Sequence, residues 1–266
     1  MVALVPVRPR PGSRSALTVL LGGSFLLSVG AISGNALLGS GGAAATRSLL
    51  LSLLHPELAP EFLLVAARAT LLTASYAVAG MSVALLVGLP GALAVSGVLA
   101  RRRTARLVTV LGSRSVFATL RAVHELVWAL LLLTILGLNP LAGILAIGIP
   151  YGATIARVLG DRLLDVPQAP LDALRSAGAS PAQVLLFGRL PLAATSLSGY
   201  LFYRLECAVR AASVLSFIGL GGLGFRIEVA LDDLRFGQVW TLLGSLVLLV
   251  VGVDRLSRRF RARYVV

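Results

Sequence analysis

The residues of this 266-residue chain best placed to do chemistry sit in one run, Tyr203-Arg204-Leu205-Glu206-Cys207-Ala208-Val209-Arg210, within an otherwise apolar segment, 190–220. Counted from Leu190 at about 1.5 Å per residue, Arg204 lies about 21 Å along a helix axis. In a membrane that depth is hydrocarbon, where a charge costs at least about 2.5–3.5 kcal/mol. Arg204, Glu206 and Arg210 must therefore face protein or water. Glu206 and Arg210 stand at i,i+4 with Glu first, the better order for a pair. Arg204 has no partner at that spacing in its own helix, and Asp161 and Glu125 are candidates elsewhere in the chain. Two readings stay open. The charges form a buried ion-pair network that fixes helix packing, or the guanidinium forks meet an anionic solute.

The run Gly219-Leu220-Gly221-Gly222-Leu223-Gly224 follows. It matches G-x-G-x-x-G letter for letter, but the dinucleotide motif needs a strand before it and a helix after it in a βαβ unit. Here an apolar segment precedes it. Gly219, Gly221, Gly222 and Gly224 instead predict an unwound or tightly packed segment end, a gate or a close helix approach. Gly148 and Gly152 form a similar small-residue pair around Pro150.

A third element lies at Val166–Pro191, VPQAPLDALRSAGASPAQVLLFGRLP. Pro170 suits the first turn of a helix running to Ala177, and Gly178 suits the left-handed residue that ends it. Ser180-Pro181-Ala182-Gln183 reads as a capping box with Pro at the first helical position. The prediction is helix, Gly turn, second short helix, with Pro191 opening the next apolar segment.

Much chemistry is excluded. All 24 cationic side chains are Arg, and there is no Lys. A P-loop Lys, a Lys Schiff base and a Ser-Lys pair are ruled out. One cysteine, Cys207, rules out a disulfide framework and a four-cysteine zinc site. Two histidines, His55 and His124, are too few for most transition-metal sites, and no metal site or catalytic residue is assigned. An intramembrane hydrolase would need a nucleophile and a base. His124 and Glu125 are adjacent, but helical side chains at i,i+1 point apart, and no Gly-x-Ser-x-Gly elbow exists.

These residues need elements to hold them. Of the chain, 57% is hydrophobic and 13% charged, against roughly 25% charged in soluble domains, and the mean hydropathy is +0.92. A membrane helix takes about 20 apolar residues. The expected spans are Leu17–Leu38, Ala67–Leu89 with a continuation toward Leu99, His124–Leu138, Leu141–Leu159, 190–220 and 236–253. Residues 105–121 mix Arg with Leu and Val and read as an interfacial helix. The first span is longer than a signal-peptide core and is expected to remain as an anchor. Asn139-Pro140 predicts a tight turn, and the short span before it leaves a re-entrant hairpin open.

Charge bias orients the spans. The N-tail, residues 101–121, residues 157–189 and the C-tail hold 3, 6, 4 and 5 Arg, or 18 together. The opposite loops hold Arg47, Arg226 and Arg235 only. Six spans with both termini cytoplasmic follow. The net charge of +13 becomes a topology signal and a contact with anionic lipid headgroups. Nucleic-acid binding is excluded, because no soluble basic domain exists.

Asp172-Ala173, Gly178 six residues after Asp172, and Leu190-Pro191 resemble the EAA loop of bacterial ABC importer permeases. Asp172 stands for Glu, Leu174 for the second Ala and Gly188 for Ile. More widely, Glu125-Leu126-Val127-Trp128-Ala129-Leu130, Gly137-Leu138-Asn139-Pro140, Gly143-Ile144-Leu145-Ala146, Tyr203-Arg204-Leu205-Glu206 with Arg210, and the glycine run are similar to phosphonate and phosphite importer permeases over about residues 62–255. His124 departs from the usual Pro, and Pro150-Tyr151 from a His-containing segment.

The resemblance implies an all-α, polytopic, MetI-like fold of about six membrane helices. It implies that Asp172, Ala173, Gly178, Leu190 and Pro191 couple to a separate cytoplasmic ATPase dimer carrying ATP and Mg, so this chain needs no cofactor and is no enzyme. It also implies a second permease copy or paralogue, an extracytoplasmic solute-binding protein and residence in the bacterial inner membrane. The solute would be a small anion, with an amino acid or another oxyanion as the alternative. A channel or scaffold is the reading that would need no ordered coupling loop. The expected divisions are 1–61 (tail, first span, outer loop), 62–256 (permease core with the loop 166–191) and 257–266 (basic tail). Should the Arg split set the orientation, an Asp232→Cys variant will react with an impermeant maleimide in intact cells. Labelling only after lysis would reverse the topology.

Overall fold

The computed structural model describes residues 18–28, 42–100 and 102–264. They are helical with no strand among them, as the composition predicts. The chain divides into two compact units, 1–51 and 52–266. In the first, α1 (Thr18–Ser28) is apolar but short. The rest of the Leu17–Leu38 expectation lies outside the described residues. The helix α2 (Gly42–Ser52) closes this unit.

The second unit begins with α3 (Pro60–Ser96), 37 residues long, and its partner α6 (Pro140–Leu164). Small residues make their seam. A Cβ on Gly80 would meet Ile147, one on Gly88 would meet Ile155, and Val83, Val87 and Val95 fill the space over Gly148, Gly152 and Gly160. Numbers rise together along both helices, so α3 and α6 run parallel at close backbone approach. Both continue through an internal proline, Pro90 and Pro150. The second span thus runs on to Ser96, stopping at the left-handed Gly97 cap (φ 61°). Asn139 caps α6 by accepting from the Leu141 N–H at 2.9 Å, and Gly137 (φ 71°) ends the preceding helix.

Because α3 and α6 run parallel, the chain between them must return from one end to the other. Two helices, α4 (Arg103–Ala122) and α5 (Glu125–Leu136), make that return with a bend of 86°. The expected span His124–Leu138 is α5, which with α4 forms either a broken span or the re-entrant hairpin that the sequence allows. Twelve helical residues cover about 18 Å, too short alone for about 30 Å of hydrocarbon. The described residues hold four helices long and apolar enough to cross, or five if the bent pair counts as one, where the sequence predicts six spans. At the bend, Trp128 Nε1 donates to the Leu120 carbonyl at 3.2 Å. His124 sits in extended backbone before α5, accepts from the Leu126 N–H, and places Nε2 3.6 Å from Glu125 Oε2. The rule that i,i+1 side chains diverge holds within a helix, and His124 precedes one.

Next come α7 (Gln168–Ser176), α8 (Pro181–Val184) and α9 (Leu190–Leu215). The last two are continuous through a π turn, Leu185–Arg189, rather than separate as the sequence predicts. Pro191 has no N–H to give to the preceding turn. The chain answers with a wider bond, Leu190 N–H to the Leu185 carbonyl, which keeps the helix intact. A short helix α10 (Leu223–Asp232) and α11 (Phe236–Tyr264) complete the unit. The last helix outruns the expected 236–253, and Asp254 with Arg258 at 2.7 Å supports its basic end.

The main core lies where α3, α6 and α9 meet, around Tyr76, Met81, Ile147, Tyr151, Ile155 and Leu215. Gly88→Val tests the seam. Its Cβ would lie 2.6 Å from Ile155 Cγ2 and 3.0 Å from the Gly152 carbonyl. Overpacking of about 1–3 kcal/mol is expected, opposite in sign to the better helix propensity of Val over Gly. The detergent-purified variant will melt below wild type. A higher melting temperature would refute the tight seam.

Candidate functional site

Two sites emerge on α6 and α9. One is the group of charges at mid-helix, the other the loop that joins the two helices.

Arg204 lies with its guanidinium carbon 3.8 Å from the centroid of the Tyr151 ring. Tyr151 is buried on α6, and its hydroxyl donates to the Cys207 carbonyl at 3.3 Å. A cation over an aromatic face is worth about 2 kcal/mol or more when desolvated, a sizeable part of the insertion cost. Planar stacking suits guanidinium and leaves its edge donors available. Arg204 Nε is buried with no hydrogen-bond partner among the described residues.

The partners considered for Arg204 are thus corrected. Asp161 is held by Arg114 at 3.0 Å and by Arg157 at 2.7 Å, and Glu125 lies beside His124. Arg210 Nη2 lies 3.7 Å from Cys207 Sγ, three residues back on the same face. Glu206 is half-buried on that turn.

Arg210 borders two cavities. One of about 300 Å³ is lined also by His124, Glu125, Tyr151 and Cys207. The other, about 440 Å³ and apolar, lies between α9 and α11 beside Phe217 and Val247. A water molecule takes roughly 30 Å³ in the liquid, so the first has room for several waters or a small ion. Among the described residues no group of three His, Cys, Asp or Glu gathers as a metal ligand set.

The glycine run is a knot at the end of α9. Gly219, Gly221 and Gly222 have φ of 86°, 78° and 93°, which side chains with a Cβ rarely adopt. Thr73 Oγ1 accepts from the Leu223 N–H at 2.9 Å, Ser216 Oγ from the Gly224 N–H at 2.8 Å, and Tyr76 donates to the Leu220 carbonyl at 2.9 Å. A Cβ on Gly224 would lie 2.4 Å from the Ser213 carbonyl. The unwound, tightly packed end expected from the sequence is present, and α3 holds it through side chains that no sequence spacing revealed.

In the loop, α7 ends in a Schellman turn. The Ala179 N–H reaches the Leu174 carbonyl and the Gly178 N–H the Arg175 carbonyl, both at 3.0 Å, around Gly178 at φ 83°. The capping box forms as read, Ser180 N–H to Gln183 Oε1 at 2.8 Å and Gln183 N–H to Ser180 Oγ at 3.4 Å. Leu171 is fully buried with Leu163, Val166, Val184, Leu185 and Ala193. The opposite side of α7 presents Asp172, Ala173 and Gly178 outward, with Asp172 Oδ1 2.6 Å from Arg175 Nη1. Leu190 is half-buried and Pro191 exposed at the start of α9. Gly188 admits Leu171, since a Cβ there would lie 2.7 Å from Leu171 Cδ2. The departure from Ile at this position is the room that α7 needs.

Two arginines missed in the sequence fasten this loop. Arg189, buried, donates Nη1 to the Leu163 carbonyl in the last turn of α6. Arg162 donates to the Ser196 carbonyl at 2.8 Å and lies over the Tyr200 ring at 5.4 Å. The available signal was an Arg at position 189 directly before an apolar Leu-Pro pair.

Comparison with known proteins agrees with this geometry. The family described as "Binding-protein-dependent transport system inner membrane component" matches residues 92–266. The phosphite transport system permease protein PtxC of Stutzerimonas stutzeri is 30% identical over 193 residues, 72% of this chain and 68% of its own length. The putative cryptic phosphonate transport system permease protein PhnE2 of Escherichia coli K12 is 29% identical over 121 residues, 46% of this chain and 99% of its own. Among solved structures, the inward-facing MetNI methionine ABC transporter aligns with a TM-score of 0.68 at 20% identity, covering 77% of this chain and 99% of that one. That likeness supports the all-helical MetI-like fold. Such permeases work with an ATPase and a solute-binding protein. The chain therefore belongs to the binding-protein-dependent transport system inner membrane components, and is the permease subunit of an ABC importer rather than an enzyme.

Proposed function

We propose that this permease passes a small oxyanion of the phosphite or phosphonate class into the cytoplasm. The observation that carries the reading is the pair of intramembrane arginines. Arg204 is stacked on Tyr151 with a free Nε, and Arg210 stands at a cavity able to hold such an ion. The names of the relatives, phosphite and phosphonate permeases, point to the same solute class. Arg binds planar and tetrahedral oxyanions through paired donors, and its charge persists across physiological pH.

In this reading two permeases, identical or related, pair in the inner membrane with both termini cytoplasmic. A separate ATPase dimer holds ATP and Mg and docks on Asp172, Ala173 and the Gly178 turn. An extracytoplasmic protein delivers the solute. Closure of the ATPase pair pushes α7. Arg189 and Arg162 convey the push to α6 and α9 together, because each ties the two helices. Arg204 and Arg210 ride on α9. The glycine run then passes the motion to α10 and to Thr73 and Tyr76 of α3.

Two experiments test this in proteoliposomes with the cognate ATPase and binding protein. Arg204→Ala should lower phosphite or phosphonate uptake about ten- to a hundred-fold, the worth of one charged hydrogen-bonding group of about 1.5–3 kcal/mol, while the complex still assembles. Wild-type uptake would sink the solute role, and loss of assembly would make Arg204 a packing residue. Gly178→Val should leave basal ATP hydrolysis intact while uptake and its coupled stimulation fall, because Val strains the left-handed turn. Unchanged coupling would remove the loop from the mechanism.

A further inference from the structure

Arg103, Arg106 and Arg114 of α4 line a cavity of about 250 Å³ at the ends of α3 and α6, completed by Ser96, Leu107, Val110 and Leu164. Arg106 is placed by its neighbour. Gly97 has φ 61°, and a Cβ there would lie 2.7 Å from Val110 Cγ2 and 3.0 Å from Arg106 Cγ. The glycine cap thus lets α4 lie against the end of α3 with the Arg106 stem across it.

Among the described residues the charges at this cavity do not balance. Arg114 and Arg157 share one carboxylate, Asp161. Arg114 also donates to the Val95 carbonyl at 3.4 Å, and the C-terminal end of α3 is worth about half a negative charge. Arg103 and Arg106 make no ion pair among the described residues. Three guanidiniums therefore line a cavity whose one nearby carboxylate, Asp161, is shared with a fourth, Arg157, and the site has the charge to take an anion.

The lining decides which anion. Leu107, Val110 and Leu164 lie among the guanidiniums, so the ligand has an apolar body beneath its charged head. Around them Val108, Leu111 and Val116 of α4 are 74%, 64% and 57% exposed, as on a helix lying in a membrane interface. We propose that this cavity is a binding site for one anionic phospholipid, its phosphate on Arg103 and Arg106 and its upper acyl chain on the three apolar side chains. The lipid would rest against the last turn of α6, one residue before Asp165, where the coupling loop begins.

The test uses the purified permease complex in detergent with equal amounts of phosphatidylglycerol and phosphatidylcholine, read by native mass spectrometry. Phosphatidylglycerol should be retained preferentially, and Arg103→Gln/Arg106→Gln should lower that preference about ten-fold or more. The charge-matched Arg258→Gln/Arg259→Gln should keep it. Inorganic phosphate in millimolar excess should not displace the lipid. No preference in wild type, an equal loss in both double variants, or displacement by phosphate would each overturn the assignment. The last would make the occupant a free phosphate. An unaltered melting temperature of the Arg103→Gln/Arg106→Gln variant separates loss of the site from loss of the fold.

Discussion

The close parallel packing of α3 on α6 is the constraint from which the rest follows. Glycines at 80, 88, 148, 152 and 160 admit Ile and Val from the facing helix. In hydrocarbon there is no hydrophobic drive to bring two apolar helices together, so tight fit must do the work. With that seam made, α6 becomes the member against which the others are set. It turns Tyr151 toward α9, Asp161 toward α4 and the Leu163 carbonyl toward Arg189. The parallel sense also forces the broken return of α4 and α5, and so places an Arg-bearing helix beside the end of α6.

The loop of residues 166–191 is stiffened at its joints by polar contacts fixed to backbone rather than by surface ion pairs. Arg189 and Arg162 donate to carbonyls of the helix across from them, and Leu171 seals the space beneath α7. The one ion pair on its outer side, Asp172 with Arg175, is half-exposed or more and contributes little to stability. The π turn serves the same end, since it carries the helix past Pro191 without a break between loop and span.

Local features were legible because local rules govern them. The capping box at Ser180, the left-handed Gly178, the cap at Asn139 and the unwound glycine run each depend on a few consecutive residues. The partner of Arg204 was not legible. Tyr151 lies 53 positions away, and its Pro150-Tyr151 pair reads as a departure from the expected pattern until its ring is found under the guanidinium. Carboxylates were the natural candidates for that cation by charge alone, yet α4 takes Asp161 for itself. The length of each span was half legible. Hydropathy marks where a helix is apolar, but whether Pro90 or Pro150 breaks it depends on the glycine seam that holds both sides.

The exclusive use of Arg ties these observations together. Counted along the chain, the arginines of residues 101–121 and 157–189 form a charge bias of the kind that orients spans. In the fold, Arg114, Arg162 and Arg189 are joints between helices. A flexible ammonium would not stack on Tyr151 or Tyr200 while keeping edge donors for a carbonyl, whereas a planar guanidinium does both. The bias and the joints are thus the same residues. Arg103 and Arg106 belong to the basic excess that makes no ion pair among the described residues, and the proposed lipid site would turn their charge toward the membrane.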